Sequence, residues 1–192
     1  GNGHTISDLT ITGQYSPAGL FGIVEEQGSI ESLSVRGIVS VSDSADTATG
    51  GIVGINHGTL INCQFTGVVT GDSEVGGIVG RNEAEGTIDH STARAIVTGK
   101  SSTGGIAGYN LGAITGCTNV GSINTEYQEA SLDTDGFTAK MVDHLNNRMS
   151  AADNDTTNSV TNVATDTGGI AGRSSGMILT SVNTGTVGYE HI

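Results

Sequence analysis

Tryptophan is absent, proline occurs once, and aromatic residues make up 4% of the 192-residue chain. A bulky, aromatic-anchored core and a proline-rich linker are therefore both excluded. Two cysteines are too few for a disulfide framework or a cysteine-rich zinc site, so redox usage leaves the compartment open. Bases are scarce: seven Lys and Arg stand against twenty Asp and Glu, a net charge of −13. Arg36, Arg81, Arg94, Lys100, Lys140, Arg148 and Arg173 read as scattered along the sequence. This excludes a surface that tracks nucleic-acid phosphates, and the same charge is repelled by an anionic membrane. No apolar run approaches the ~20 residues of a spanning helix, so no membrane insertion is expected of this segment. The opening residues also lack the basic stretch and apolar run of a signal peptide.

What is abundant is glycine, 31 residues, about twice the usual share of roughly 7%. No Gly-X-Y triplet runs through it. Instead a Gly-rich pattern recurs five times, starting at Gly19, Gly51, Gly77, Gly105 and Gly169, at spacings of 32, 26, 28 and 64 residues. Aligning the copies on Gly28, Gly58, Gly86, Gly112 and Gly176 puts Ile30, Leu60, Ile88, Ile114 and Ile178 in one column. Leu33, Cys63, Ser91, Cys117 and Ser181 form a second column, and Val39, Val69, Val97, Ile123 and Val187 a third. Gly37, Gly67, Ala95, Gly121 and Gly185 fill a small-residue column between them. TISDLTITGQY at the N-terminus supplies a partial sixth copy through Ile6, Leu9, Ile11, Gly13 and Tyr15.

Val, Ile and Thr dominate each copy, and glycine interrupts every possible helix, so each copy is expected to form short strands. The expected fold is all-β: a right-handed parallel β-helix of five to six coils, each column an interior stack, with glycines supplying left-handed corners. Single coils cannot bury their own apolar face, so stability comes from stacking. Cys63 and Cys117 then lie two coils apart, beyond disulfide reach. Two buried, unbridged thiols are expected.

Gly-Gly-Ile-Val-Gly at 50–54 and 76–80, Gly-Gly-Ile-Ala-Gly at 104–108 and 168–172, and Gly-Leu-Phe-Gly at 19–22 resemble the GLUG motif. GNGHTISDLTITG is similar to the opening coil that commonly precedes such repeats, and the NxGTI-type links recur as NHGTLINC and NLGAITGC. The resemblance implies a bacterial secreted or cell-surface protein, adhesin-like or accompanying an extracellular zinc peptidase similar to immunoglobulin A1 proteases. The HExxH signature of such peptidases is absent, so no catalytic residue is carried over.

The 64-residue interval holds an insertion at about 125–166 within a single domain spanning 1–192. There Phe137, Met141, Val142, Leu145 and Met149 form an apolar stripe at helical spacing, which predicts one short α-helix capped by Asp135. The stripe is expected to pack on the solenoid wall, and Phe137, Met141, Leu145 and Met149 are the candidate residues for partner binding. Asp133 and Asp135 are weak calcium candidates: with Gly136 they match only the middle of an EF-hand loop, whose twelfth position is Val142. No other cofactor is expected. Asp8, Glu31, Asp72 and Asp89 are read as occupying different offsets, without a carboxylate partner in the same column, so glycosidase-type chemistry has no pair to work with. His4, His57, His90, His144 and His191 have no ligand spacing.

Together with what the resemblance implies, the sequence predicts a non-catalytic, monomeric extracellular or cell-surface repeat module, adhesin or spacer, presenting loops to a host or neighbouring-cell protein or glycan. The alternative is an accessory β-helix region of a secreted zinc peptidase or polysaccharide-degrading enzyme whose catalytic domain lies elsewhere. The chain opens and closes mid-repeat, so it is expected to be a fragment of a longer one.

Overall fold

The computed structural model describes residues 1–42, 48–125 and 165–188. The insertion, with Asp133, Asp135 and the 137–149 stripe predicted to be helical, lies outside the described residues. Those residues contain strands and turns and no helix.

Strand β1 (Thr5–Gly13) comes first, followed by a turn of three strands, β2 (Phe21–Val24), β3 (Ser29–Glu31) and β4 (Ser34–Val41). Four turns with four faces each succeed it. They comprise β5 (Thr49–Gly50), β6 (Val53–Asn56), β7 (Thr59–Ile61) and β8 (Gln64–Thr70); then β9 (Ser73–Gly76), β10 (Val79–Asn82), β11 (Thr87–Asp89) and β12 (Thr92–Thr98). The next holds β13 (Ser101–Gly104), β14 (Ala107–Asn110) and β15 (Ala113–Thr115), its fourth face split into β16 (Thr118–Asn119) and β17 (Ser122–Ile123). The last holds β18 (Thr165–Gly168), β19 (Ala171–Ser174), β20 (Met177–Leu179) and β21 (Val182–Asn183).

Every pairing is parallel and joins equivalent strands of successive turns. The first face runs β5-β9-β13-β18 and the second β2-β6-β10-β14-β19. The third runs β3-β7-β11-β15-β20, and the fourth β1-β4-β8-β12-β16-β21 with β17 also on β12. The chain is thus a β-solenoid. The partial sixth copy is β1, which covers only the fourth face and slips register between Ile6 and Leu9. Ser101 pairs with Thr165 and Gly104 with Gly168, so the turn after the insertion stacks on the turn before it.

The aligned columns are the physical stacks. Ile30, Leu60, Ile88, Ile114 and Ile178 are successive partners, and Val39, Val69, Val97, Ile123 and Val187 continue in the same way. Leu60, Ile88 and Ile114 are wholly buried, whereas Ile178 on the last turn is 38% exposed. The Gly-Gly-Ile-Val-Gly and Gly-Gly-Ile-Ala-Gly motifs drive their isoleucine inward: Ile52, Ile78 and Ile106 have no solvent exposure.

The glycines differ from expectation. Left-handed backbone at the corner between the third and fourth faces falls on Ser32, Asn62, His90, Gly116 and Thr180, only one of them glycine. A second left-handed column, on the first face, holds Glu74, Ser102 and Asp166. The motif glycines answer to crowding instead. A Cβ on Gly50, Gly76, Gly104 or Gly168 would overlap the carbonyl oxygen of Val53, Val79, Ala107 or Ala171, and one on Gly80, Gly108 or Gly172 would overlap the backbone of the preceding turn. These positions need the missing side chain, not the permissive φ.

Candidate functional site

Parallel stacking turns each outward position into a row of side chains ~4.8 Å apart. On the second face one row reads Ile23, Ile55, Arg81, Tyr109, Arg173. Both guanidinium carbons lie 5.6 Å from the Tyr109 ring centroid, one on either side, a cation-π stack. Glu74 holds Arg81 in a bidentate pair, Arg81 Nε donating to Oε2 at 2.7 Å and Nη2 to Oε1, with Glu83 3.7 Å away. This cluster is largely satisfied internally.

The fourth face is the broadest. Its outward rows are Ser34, Gln64, Thr92, Thr118 and Val182; Arg36, Thr66 and Arg94; Thr10, Ile38, Val68, Ile96 and Ser122; and Thr12, Ser40, Thr70 and Thr98. Ile38 is 46% and Ile96 39% exposed. The arginines read as scattered in the sequence thus fall, among the described residues, into two rows of two, each pair separated by one intervening turn.

On the third face Glu31 and Asp89 share one row, with Ile61 between them. This corrects the reading that they occupy different offsets. Each carboxylate is engaged locally, Glu31 Oε1 by the Ser29 hydroxyl at 3.0 Å and Asp89 Oδ1 by His90 Nδ1 at 2.9 Å. Lys100 Nζ lies 2.6 Å from Asp72. His144 and His191 lie outside the described residues, and His4, His57 and His90 join no group of three metal-ligating side chains among the described residues.

Inside the stack runs a polar row that the sequence alignment missed. Asn56 Nδ2 donates to Asn82 Oδ1 at 2.8 Å, Asn82 Nδ2 to Asn110 Oδ1 at 2.8 Å, and Asn110 Nδ2 to Ser174 Oγ at 3.1 Å. All three asparagines are fully buried. Each amide also binds its own turn, as when Asn82 Nδ2 donates to the Gly86 carbonyl at 3.1 Å. A second amide pair joins Asn119 Nδ2 to Asn183 Oδ1 at 2.7 Å. Both cysteines are buried and unbridged. Burial raises the Cys63 thiol above its ordinary range and pushes Cys117 up to about 11, against hydrogen bonds that act the other way. Neither is poised as a nucleophile.

Residues 71–98, the turn holding β9 to β12, match the family model described as the GLUG motif. The chain is also similar to Halomucin of the archaeon Haloquadratum walsbyi, 37% identical over 94 residues. That match covers 48% of this chain and 1% of Halomucin. No solved structure matches. The chain therefore carries the GLUG repeat, and the related sequence extends the resemblance to an archaeal protein.

Proposed function

We propose that the chain is a non-catalytic repeat module of an extracellular or cell-surface protein, a rigid spacer or adhesin-like element that presents its surface to a protein or glycan. The carrying observation is that the matched GLUG unit is one turn of a stack whose registered rows continue above and below it. A fold of this kind gains stability and reach together by adding turns. The likeness to Halomucin, a mucin by its name, supports the extracellular placement. The net charge of −13 keeps such a surface soluble and poorly suited to nucleic acid. Antibodies raised against residues 1–192 test the reading on intact cells that express the parent protein. The expected result is labelling without permeabilisation and loss of the epitope on brief external proteolysis. Labelling only after lysis would refute it.

A further inference from the structure

We infer that the fourth face binds a linear acidic polysaccharide, a β-linked glycan carrying one carboxylate per disaccharide, with Arg36 and Arg94 as the anion contacts. The inference rests on the reading of the chain as a surface-binding module and names its ligand class.

Charge is the first argument. The chain as a whole carries −13, yet the strands of the fourth face hold two arginines and a single acid, Asp8. Acids are thus nearly absent from one broad surface of an acidic protein. Asp8 sits at the register slip of β1, across from Arg36, and no described residue forms an ion pair with Arg36 or Arg94. Their guanidiniums are exposed and keep the bidentate geometry that suits carboxylates. Acids elsewhere on the molecule are damped over a screening length of ~10 Å at moderate salt.

Spacing is the second argument. Arg36 and Arg94 occupy one row with Thr66 between them, which sets them about 9.6 Å apart from two strand spacings. One disaccharide of an extended β-linked chain spans about that distance, so alternate sugars bring successive carboxylates to successive arginines. Beside them the exposed Ile38 and Ile96, with the partly buried Val68 between them, offer an apolar strip for the C–H faces of sugar rings. Beyond that strip the hydroxyls of Thr12, Ser40, Thr70 and Thr98 stand in one row as donors and acceptors for sugar hydroxyls. Acid-binding, apolar and hydroxyl rows run parallel across the turns, the arrangement a glycan lying along the stack requires. By contrast, Arg81 on the second face is committed to Glu74.

Calorimetric titration of the full chain with hyaluronan oligosaccharides, and with neutral cellohexaose as control, tests the proposal. Hyaluronan is expected to bind, weakening as salt rises, and cellohexaose to bind at least about tenfold more weakly. The double variant Arg36→Gln/Arg94→Gln should lose at least about tenfold in affinity with its circular dichroism unchanged, while Arg173→Gln on the second face binds as the parent does. The proposal is overturned if the parent chain does not bind hyaluronan, if cellohexaose binds equally, if the double variant binds undiminished, or if Arg173→Gln loses as much. Failure to bind with an epitope accessible on intact cells removes this inference alone. An inaccessible epitope removes the reading beneath it.

Discussion

Asn82→Ala tests the buried amide row at its centre. Asn82 donates to Asn110 Oδ1 and to the Gly86 carbonyl and accepts from Asn56, at 2.8, 3.1 and 2.8 Å, with no solvent exposure. Truncation removes these three hydrogen bonds, worth a net ~0.5 to 1.5 kcal/mol each, together with a longer one from Nδ2 to the Ala113 carbonyl at 3.4 Å, and strands the Asn110 oxygen, a buried acceptor whose desolvation costs a further ~1 to 3 kcal/mol. Asn56 loses less, because its Nδ2 still donates to the Gly58 carbonyl at 3.1 Å. The expected loss is about 3 to 5 kcal/mol. Ser174→Ala, on the last turn of the same row, removes the bond from Asn110, whose Nδ2 keeps the Gly112 carbonyl at 3.3 Å, and an exposed bond to the Gly176 carbonyl at 3.2 Å. It should cost about 1 kcal/mol. Asn82→Asp adds a signature of its own. Its carboxylate satisfies Asn56 but offers Asn110 and Gly86 no donor, so burial raises its folded pKa above the unfolded value. Stability of that variant is retained below the unfolded pKa, near ~4, and lost as pH rises through the higher folded value. Urea unfolding followed by circular dichroism reads all three. Equal losses for Asn82→Ala and Ser174→Ala would show that the row is incidental to stability.

Ile88→Ala, in mid-stack with neighbours on both sides, should cost about 2 to 5 kcal/mol, and Ile6→Ala, on β1 and 38% exposed, under about 2 kcal/mol by the same urea titration. Thr49 Oγ1 and Thr103 Oγ1 are buried without a hydrogen-bond partner among the described residues, and Val75 stands between them in the same row; Thr103→Val should therefore gain about 1 kcal/mol, seen as a higher melting temperature. Because burial lifts the Cys117 thiol from 9.0 to about 11, its contribution is intact below pH 9 and is lost as pH climbs through that interval; melting scans across it should fall less steeply for Cys117→Ser. Since β13 pairs directly with β18, replacing residues 126–163 with a short turn should leave a β-rich, cooperatively unfolding protein, and loss of the β signal or aggregation in light scattering would refute that.

The apolar interior was legible because stacking forces equivalent positions into contact, and a repeat announces equivalence directly in its letters: Ile30 through Ile178 needed only alignment. The amide row was hidden by a small irregularity. Asn56 and Asn110 precede their aligned glycines by two residues, but Asn82 precedes Gly86 by four, since the link NEAEG is longer than NHG or NLG. The buried side chain held its place while the exposed link absorbed the difference. The arginine pairs were visible in principle, as Arg36 and Arg94 share an offset from their glycines. Reading charge along the chain instead of down the columns dispersed them. The left-handed positions could not be read from residue type, because Ser, Asn, His, Gly and Thr all serve at one corner. There the stack imposes the conformation and tolerates the strain. Glycine was the obvious sign for such a corner, and it marks crowding between turns instead.

The amide row bears on how such a chain descends. Asn82 answers to Asn56 on one side and Asn110 on the other, so a point change there is judged by two neighbours at once, while copying a whole unit delivers a matching amide to each new junction. Growth by duplication is therefore compatible with the interior from the first generation, and divergence is pushed outward, to links such as NEAEG and to rows that face solvent. Two lineages that inherited the same few units would keep the buried amides and the Ile column long after their surfaces had ceased to resemble each other.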